Sequence, residues 1–369
     1  MGDSGTYQAV RSWYTSLLTQ MKEYVIGNDA LVEALALATV SSEGIRNVSD
    51  DESRDSFPRQ CLLIIGGTGS GKSYTVQTAA KCAGKPLIRL DMSSVSATGY
   101  EGASIEDILG AAARDTTQEE FKRSIIFFDE IDKAILSEPT ERRFDVINEL
   151  LVLTEGGQMQ IRPSRDTRVR VDARNTLLIF AGAFEGLEEI IAKRLGRHRI
   201  GFAPGAATCF QRESGDILSQ VSIADLVEYG LSPQFLGRIS RILVTNPLGR
   251  EDYLRILTDS RDSPLRKQQA LLREVYGMQL IAGKDALAAV AEQCMRRGTG
   301  ARGLKSLLCG PIDAGLAQAL KSGSKVLELT MEGDNLSCRP LQTEACDQLT
   351  WKIVSGCENT NYRHFHKEA

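Results

Sequence analysis

Five short apolar runs recur along the first two thirds of the chain without alternation of polar and apolar positions. They are rich in Ile, Leu and Phe, as expected of strands that are buried on both faces. The runs are CLLIIG (61–66), PLIRLD (86–91), SIIFFD (124–129), TLLIFAG (176–182) and RILVTN (241–246).

Between these runs lie segments in which apolar residues recur at helical spacing. In residues 103–115, for example, Ile105, Ile108 and Leu109 fall on one face of a helix. Strands that alternate with helices predict a parallel sheet with helices on both faces, which is an α/β fold. Beyond Pro247 the strand signals become weaker and helical patterns dominate, so we expect a smaller, mainly helical second domain.

The patterns divide the chain into four parts. Residues 7–40 are amphipathic and predicted to be helical, with a break at YVIGN, and a polar, acidic linker follows them. The end of the chain shows no periodicity. The predicted parts are an N-terminal segment of residues 1–56, a large α/β domain of residues 57–246, a small domain of residues 247–337 and an irregular tail of residues 338–369.

Composition restricts the classes of partner. The 369 residues carry a net charge of −4, whereas proteins that bind a phosphate backbone usually have a basic surplus, so no nucleic acid partner is expected. No apolar run approaches the ~18 residues of a membrane helix, and the first ten residues lack the regions of a signal peptide. The eight cysteines include no C-x-x-C pair, which favours thiols in a reducing compartment over a zinc site. We therefore expect a soluble, cytoplasmic protein without a membrane partner.

A glycine-rich loop after the first apolar run is the strongest chemical signal. Residues 66–73, GGTGSGKS, match the phosphate-binding pattern G-x-x-x-x-G-K-[ST], and a helical pattern follows them. Backbone N–H groups of such a loop can surround phosphates, Lys72 can reach the outer phosphates, and the Ser73 hydroxyl can bind Mg²⁺. The alternative is a flexible glycine loop. The predicted ATP-binding residues are Gly66, Gly67, Thr68, Gly69, Ser70, Gly71, Lys72, Ser73 and Tyr74.

Two acidic residues end the third apolar run, in IIFFDEID (125–132). Asp129 would lie at the carboxyl end of a buried strand beside the glycine-rich loop, where a carboxylate can hold Mg²⁺ or its waters. Glu130 is suited to orient an attacking water. The alternative is that both acids simply end a strand. Because Glu130 would have no task in a protein that only binds ATP, the pair predicts hydrolysis.

These motifs, in this order, resemble the AAA+ superfamily and within it the ClpX-type unfoldases, over about residues 20–335. YVIGN is similar to the adenine-side motif, which implies that Val25 and Ile26 pack on the base, although both could equally be core residues. LSPQFLGR resembles the segment that ends in the arginine finger, here Arg238, whose alternative is a surface ion pair. TGARGLKSLL resembles the sensor-two helix, which implies that Arg302 touches the γ-phosphate.

Two further segments of the resemblance concern protein partners. GYEG resembles the first pore loop, in which a tyrosine grips polypeptides by its bulk, and RHRIGFAPG resembles a loop that docks in apolar clefts of the ClpP peptidase. For the second segment, burial in the chain's own core is the alternative. The implied pore residues are Gly99, Tyr100, Glu101 and Gly102. The implied docking residues are Ile200, Gly201 and Phe202.

The resemblance implies a homohexameric ring that hydrolyses ATP and threads unfolded or tagged proteins, into a ClpP-type peptidase. The zinc-binding N-terminal domain of the family is not recognisable, which leaves a non-proteolytic remodeller of one protein complex as the alternative. A nucleic-acid motor and a degenerate nucleotide-binding scaffold are further alternatives. The polar sensor-one residue of the family stays unassigned, because Ala181 and Gly182 stand at that place.

Overall fold

The computed structural model describes residues 4–48, 57–93, 105–137, 140–155, 158–164, 167–172, 176–196, 217–333 and 335–341. The predicted pore loop and docking triplet, residues 99–102 and 200–202, lie outside these ranges. The chain divides into two compact units. The first runs to Asp252 and includes Thr299–Ala301, and the second comprises Tyr253–Gly298 and the chain from Arg302 onward.

The first unit is built on a five-stranded parallel sheet whose strands are the five predicted apolar runs. The strand order is β2-β3-β6-β1-β7, and every neighbouring pair is parallel. The strands are β1 (Cys61–Ile65), β2 (Leu87–Asp91), β3 (Ile125–Asp129), β6 (Leu177–Gly182) and β7 (Arg241–Val244). A separate antiparallel pair consists of β4 (Gln158–Ser164) and β5 (Thr167–Asp172).

Helices cover both faces of this sheet, as predicted. Along β1, Leu63 packs into a core that includes Phe128 and Phe180, whereas Leu62 packs into the opposite core with Val32. The helices of the unit are α1 (Ser4–Tyr24), α2 (Asp29–Arg46), α3 (Lys72–Ala83), α4 (Ile105–Asp115), α5 (Gln118–Arg123), α6 (Ile131–Ser137), α7 (Thr140–Glu155), α8 (Leu187–Arg194), α9 (Ile223–Tyr229) and α10 (Pro233–Leu236). The α/β fold class is therefore confirmed.

The second unit contains the expected helices and also a sheet that the sequence analysis missed. Its helices are α12 (Pro264–Tyr276), α13 (Lys284–Arg297) and α14 (Arg302–Ser322), and α11 (Arg250–Thr258) contains the division between the units. Its sheet has the order β10-β9-β8, with β8 (Gln279–Ala282), β9 (Val326–Glu332) and β10 (Asn335–Leu341).

The missed strands are only half buried. In β9 the buried residues Leu327 and Leu329 alternate with more exposed ones, so the strand lacks a continuous apolar run. Strand β10 continues to Leu341, so residues 338–341 are regular where the sequence suggested an irregular tail. Among the described helices, none is both long and apolar enough to cross a membrane.

Candidate nucleotide site

The glycine-rich loop follows the carboxyl end of β1 and leads directly into α3. Gly71 is the N-cap of this helix and has φ +92°, a left-handed conformation that suits glycine. It has no side chain to cap the first turn, whose N–H groups have no carbonyl partners within the helix. The positive end of a 12-residue helix therefore adjoins the loop, which suits an anion such as phosphate.

The Lys72 side chain lies within the loop. The residue is only 8% exposed, and its Nζ donates hydrogen bonds to the carbonyl oxygens of Gly66 and Gly67, the latter at 3.0 Å. These bonds hold a positive charge among the loop residues, where a phosphate charge would need neutralising.

Ser73 and Asp129, the two predicted magnesium ligands, are in direct contact. Ser73 Oγ donates to Asp129 Oδ2 at 2.7 Å, and Asp129 is only 5% exposed at the carboxyl end of β3. One hydroxyl and one carboxylate are the hard oxygen ligands that Mg²⁺ prefers. The described residues therefore fit a magnesium ion that accompanies a nucleotide.

Glu130 follows Asp129 with its side chain accessible. Its Oε2 accepts a hydrogen bond from Lys133 Nζ at 2.6 Å, in an ion pair whose members are 42% and 54% exposed. An accessible carboxylate beside the metal-binding residues can orient a water molecule and take up its proton.

Two residues that the sequence analysis did not assign fasten the loop to the rest of the first unit. Asn28 Nδ2 donates to the Ser70 carbonyl oxygen at 2.8 Å, and Thr245 Oγ1 donates to Ser70 Oγ at 2.8 Å. Asn28 is the last residue of YVIGN, so this motif contacts the phosphate-binding loop directly. These partners are 42 and 175 positions from Ser70, and spacing along the chain gives no signal for them.

Val25 and Ile26, the predicted adenine contacts, are buried at 6% and 8% exposure. Val25 packs in the same core as Leu17 and Met21. Its role as a core residue is therefore observed, and contact of either residue with adenine stays a prediction.

Arg89 is a further polar residue of the site, and it lies in the middle of β2. Its Nη2 donates to Asp129 Oδ2 at 2.7 Å. The signal in the sequence is an arginine between apolar residues in the run PLIRL (86–90).

At Gly182, the last residue of β6, the structure leaves no room for the polar side chain of a sensor-one residue. A Cβ atom on Gly182 would lie 2.5 Å from Asp132 Oδ1, so the Asp132 carboxylate occupies the space of a side chain. Asp132 is buried, and its Oδ2 accepts a hydrogen bond from the Phe184 backbone N–H at 3.0 Å. The carboxylate that approaches this strand end comes from α6 instead.

Arg238 lies at the opposite end of the sheet from the glycine-rich loop. The Ser240 N–H donates to the Cys61 carbonyl at 2.8 Å, which fixes this segment beside the start of β1, whereas the loop follows the end of β1. A five-residue strand spans about 16 Å, too far for one side chain to bridge. The Arg238 segment therefore lies away from the loop of its own chain.

The Arg238 guanidinium is paired at the surface. It donates to Glu155 Oε1 at 2.7 Å, and the two side chains are 49% and 54% exposed. Exposed pairs of this kind contribute at most about 1 kcal/mol, so another anion can replace Glu155. Arg302 is the first residue of α14, is exposed and belongs to the second unit, and its role stays a prediction.

Comparison with known proteins gives two family matches that together span most of the chain. A model described as AAA domain (Cdc48 subfamily) matches residues 58–242, and one described as the C-terminal, D2-small domain of ClpB protein matches residues 248–329. The ATP-dependent Clp protease ATP-binding subunit ClpX 3 of Methylococcus capsulatus is 31% identical over 314 residues, with 78% of this chain and 72% of the relative covered. The ATP-dependent Clp protease ATP-binding subunit ClpX of Treponema denticola is 31% identical over 302 residues, with the same shares covered.

Proposed function

The chain belongs to the ClpX-type AAA+ ATPases, and on this premise we propose that it is an ATP-dependent unfoldase that threads polypeptides through a homohexameric ring. The contact between Ser73 and Asp129 at the end of a phosphate-binding loop, with Glu130 beside them, carries the ATPase part of the proposal, and similarity to subunits named ClpX supports the unfoldase part. This combination of residues is suited to hydrolysis of ATP as well as to its binding.

Four residues of the site, Lys72, Ser73, Asp129 and Glu130, have roles in the proposed hydrolysis. Bound ATP and Mg²⁺ would supply the phosphoryl group and the charge that stabilises its transfer. Lys72 would neutralise phosphate charge, and Ser73 and Asp129 would hold the metal. Glu130 leaves its exposed pair with Lys133, orients a water molecule and takes up its proton.

A neighbouring subunit completes the site in this proposal. Arg238 lies about one strand length from its own loop and forms an exposed pair with Glu155, so it is suited to stabilise charge on a nucleotide held by the next subunit. A residue that acts only across an interface makes a closed ring the natural assembly. Arg302 is assigned to the γ-phosphate by its sensor-two motif.

The roles of the substrate-gripping loop and of the peptidase-docking loop are proposed from their sequence resemblance to the family. Tyr100 between glycines would grip substrate, and Ile200 and Phe202 would dock in apolar clefts of a ClpP-type peptidase. The M. capsulatus and T. denticola relatives are named as subunits of the Clp protease, which supports a peptidase partner.

A substrate trap tests the unfoldase proposal. The Glu130→Gln variant should bind ATP without hydrolysing it and retain polypeptides, which mass spectrometry of the isolated ring would identify. Recovery of nucleic acid alone would contradict the proposal.

A pull-down tests the peptidase partner separately. Wild-type protein should retain a ClpP-type peptidase in the presence of ATP, and deletion of residues 200–202 should abolish retention while ATP turnover stays. Equal retention by both would contradict docking through this triplet. If neither retains the peptidase but the trap still captures protein, the non-proteolytic remodeller becomes the better description.

A further inference from the structure

Arg89 is a positive charge in the site that has no task in the mechanism described above. Its Nη2 donates to Asp129 Oδ2 at 2.7 Å, and Ser73 Oγ donates to the same oxygen, also at 2.7 Å. The carboxylate oxygen that lies nearest to the other proposed metal ligand is therefore also the one that binds a guanidinium.

The two partners differ in accessibility. The Asp129 side chain is 7% exposed, whereas the Arg89 side chain is 43% exposed, so the acid is fixed inside the unit and the guanidinium lies at the rim. A guanidinium does not lose its charge at any ordinary pH. A divalent cation at Asp129 must therefore either displace Arg89 from the carboxylate or remain close to a like charge.

We propose that Arg89 competes with Mg²⁺ for Asp129 and thereby weakens the binding of the metal to the nucleotide-loaded site. The inference rests on the proposed function, since it concerns the metal that accompanies ATP. It makes Arg89 a determinant of the magnesium concentration at which the protein binds its nucleotide tightly.

The coupling between Mg²⁺ and ADP tests this inference without any turnover. The dissociation constant of ADP is measured for the full chain by displacement of a fluorescent nucleotide, once with excess EDTA and once at a series of Mg²⁺ concentrations. The dissociation constant in EDTA divided by the dissociation constant at saturating Mg²⁺ reports how strongly the metal favours nucleotide binding. In Arg89→Met this ratio should rise about threefold to tenfold, because a partly exposed cation no longer opposes the metal.

Two variants serve as controls. Arg89→Lys keeps the charge and should keep a ratio close to that of the wild type. Arg123→Met is a matched control, because the Arg123 side chain is 47% exposed and approaches the carboxylate of Glu43, whose side chain is 12% exposed, away from the loop. Its ratio should equal that of the wild type, and thermal denaturation of each variant checks that it folds.

The outcomes separate the inference from the proposed function. A higher ratio in Arg89→Met, with the ratios of Arg89→Lys and Arg123→Met close to that of the wild type, supports competition between Arg89 and Mg²⁺. An unchanged or lower ratio overturns it, since a residue that merely positions Asp129 would weaken metal binding when removed. Failure of the wild-type protein to bind ADP at any Mg²⁺ concentration would overturn the proposed function and the inference together.

Discussion

At the scale of single residues, the backbone of Glu130 has a conformation that residues other than glycine rarely adopt. Its φ is +60°, at the junction between the last residue of β3 and the first residue of α6. Such conformations cost about 1–3 kcal/mol and persist where the surrounding structure imposes them, often at functional sites. The strained junction therefore supports a catalytic assignment for Glu130.

Replacement of Glu130 by Gln should lower ATP turnover by a factor of about 10²–10⁴ and leave ATP binding intact, because the amide cannot accept a proton. Phosphate release and equilibrium nucleotide binding measure the two effects. Glu119→Gln is a matched control, since Glu119 forms a pair with Lys122 at the same i,i+3 spacing as Glu130 and Lys133. Equal turnover in both variants would contradict the assignment.

Replacement of Gly182 by Ala should lower the free energy of unfolding by about 1–3 kcal/mol, because the new methyl group would overlap the buried Asp132 carboxylate. Denaturation by urea measures the change. Gly44→Ala in α2 is the control, since a Cβ atom there meets nothing within 4 Å. Because alanine favours the helix more than glycine does, Gly44→Ala should instead raise the free energy of unfolding by up to about 1 kcal/mol. If Gly182→Ala left the free energy of unfolding unchanged, the Asp132 side chain would be free to move away, and the prediction would be wrong.

At the scale of elements, an ionic cluster joins α2 to the segment between α3 and β2. Glu43 accepts hydrogen bonds from Arg46 and from Lys85 Nζ, the latter at 2.7 Å, and the Lys85 side chain is 4% exposed. Burial raises the pKa of Glu43, but these hydrogen bonds outweigh it and lower the pKa to about 2. Burial also lowers the pKa of Lys85 despite the pairing.

The Glu43 cluster should make stability depend on pH below the ordinary pKa of a glutamate. With a depressed pKa in the folded state, Glu43 stabilises fully above pH 4.5, and its contribution is lost as the pH falls toward 2. Unfolding by urea, followed by circular dichroism at each pH, measures the effect. Between pH 4.5 and pH 2, the free energy of unfolding of the wild type should fall by up to about 3 kcal/mol more than that of Glu43→Gln. Parallel pH profiles would contradict the prediction.

The elements also show which features the sequence could predict. Strands β1, β3 and β6 were predictable because burial on both faces requires unbroken apolar runs, whereas the half-buried strand β9 left no such run. The position of Lys72 was predictable because the phosphate-binding pattern fixes its spacing, and that of Asp129 because it ends a buried apolar run. The contacts of Asn28 and Arg89 join residues 42 and 40 positions apart and arise only when the sheet assembles.

At the scale of the whole molecule, the placement of Arg238 favours the proposal that it acts on a nucleotide held by another chain. The arginine lies by the amino end of β1 and the glycine-rich loop lies at the carboxyl end, within one compact unit. A fixed strand separates them in each copy, so assembly is the means by which Arg238 could meet a nucleotide. We therefore expect ATP turnover to depend on protein concentration, through formation of the ring.

Mixing two inactive variants tests this account most directly. Arg238→Ala and Glu130→Gln should each bind ATP and turn over almost none. After dissociation and joint reassembly at equal amounts, about a quarter of the sites should combine an intact Glu130 with the Arg238 of a neighbour. Phosphate release should then return to roughly that fraction of the wild-type rate. A mixture that stays inactive although mixed rings form, or full activity of Arg238→Ala alone, would contradict a catalytic site shared between subunits.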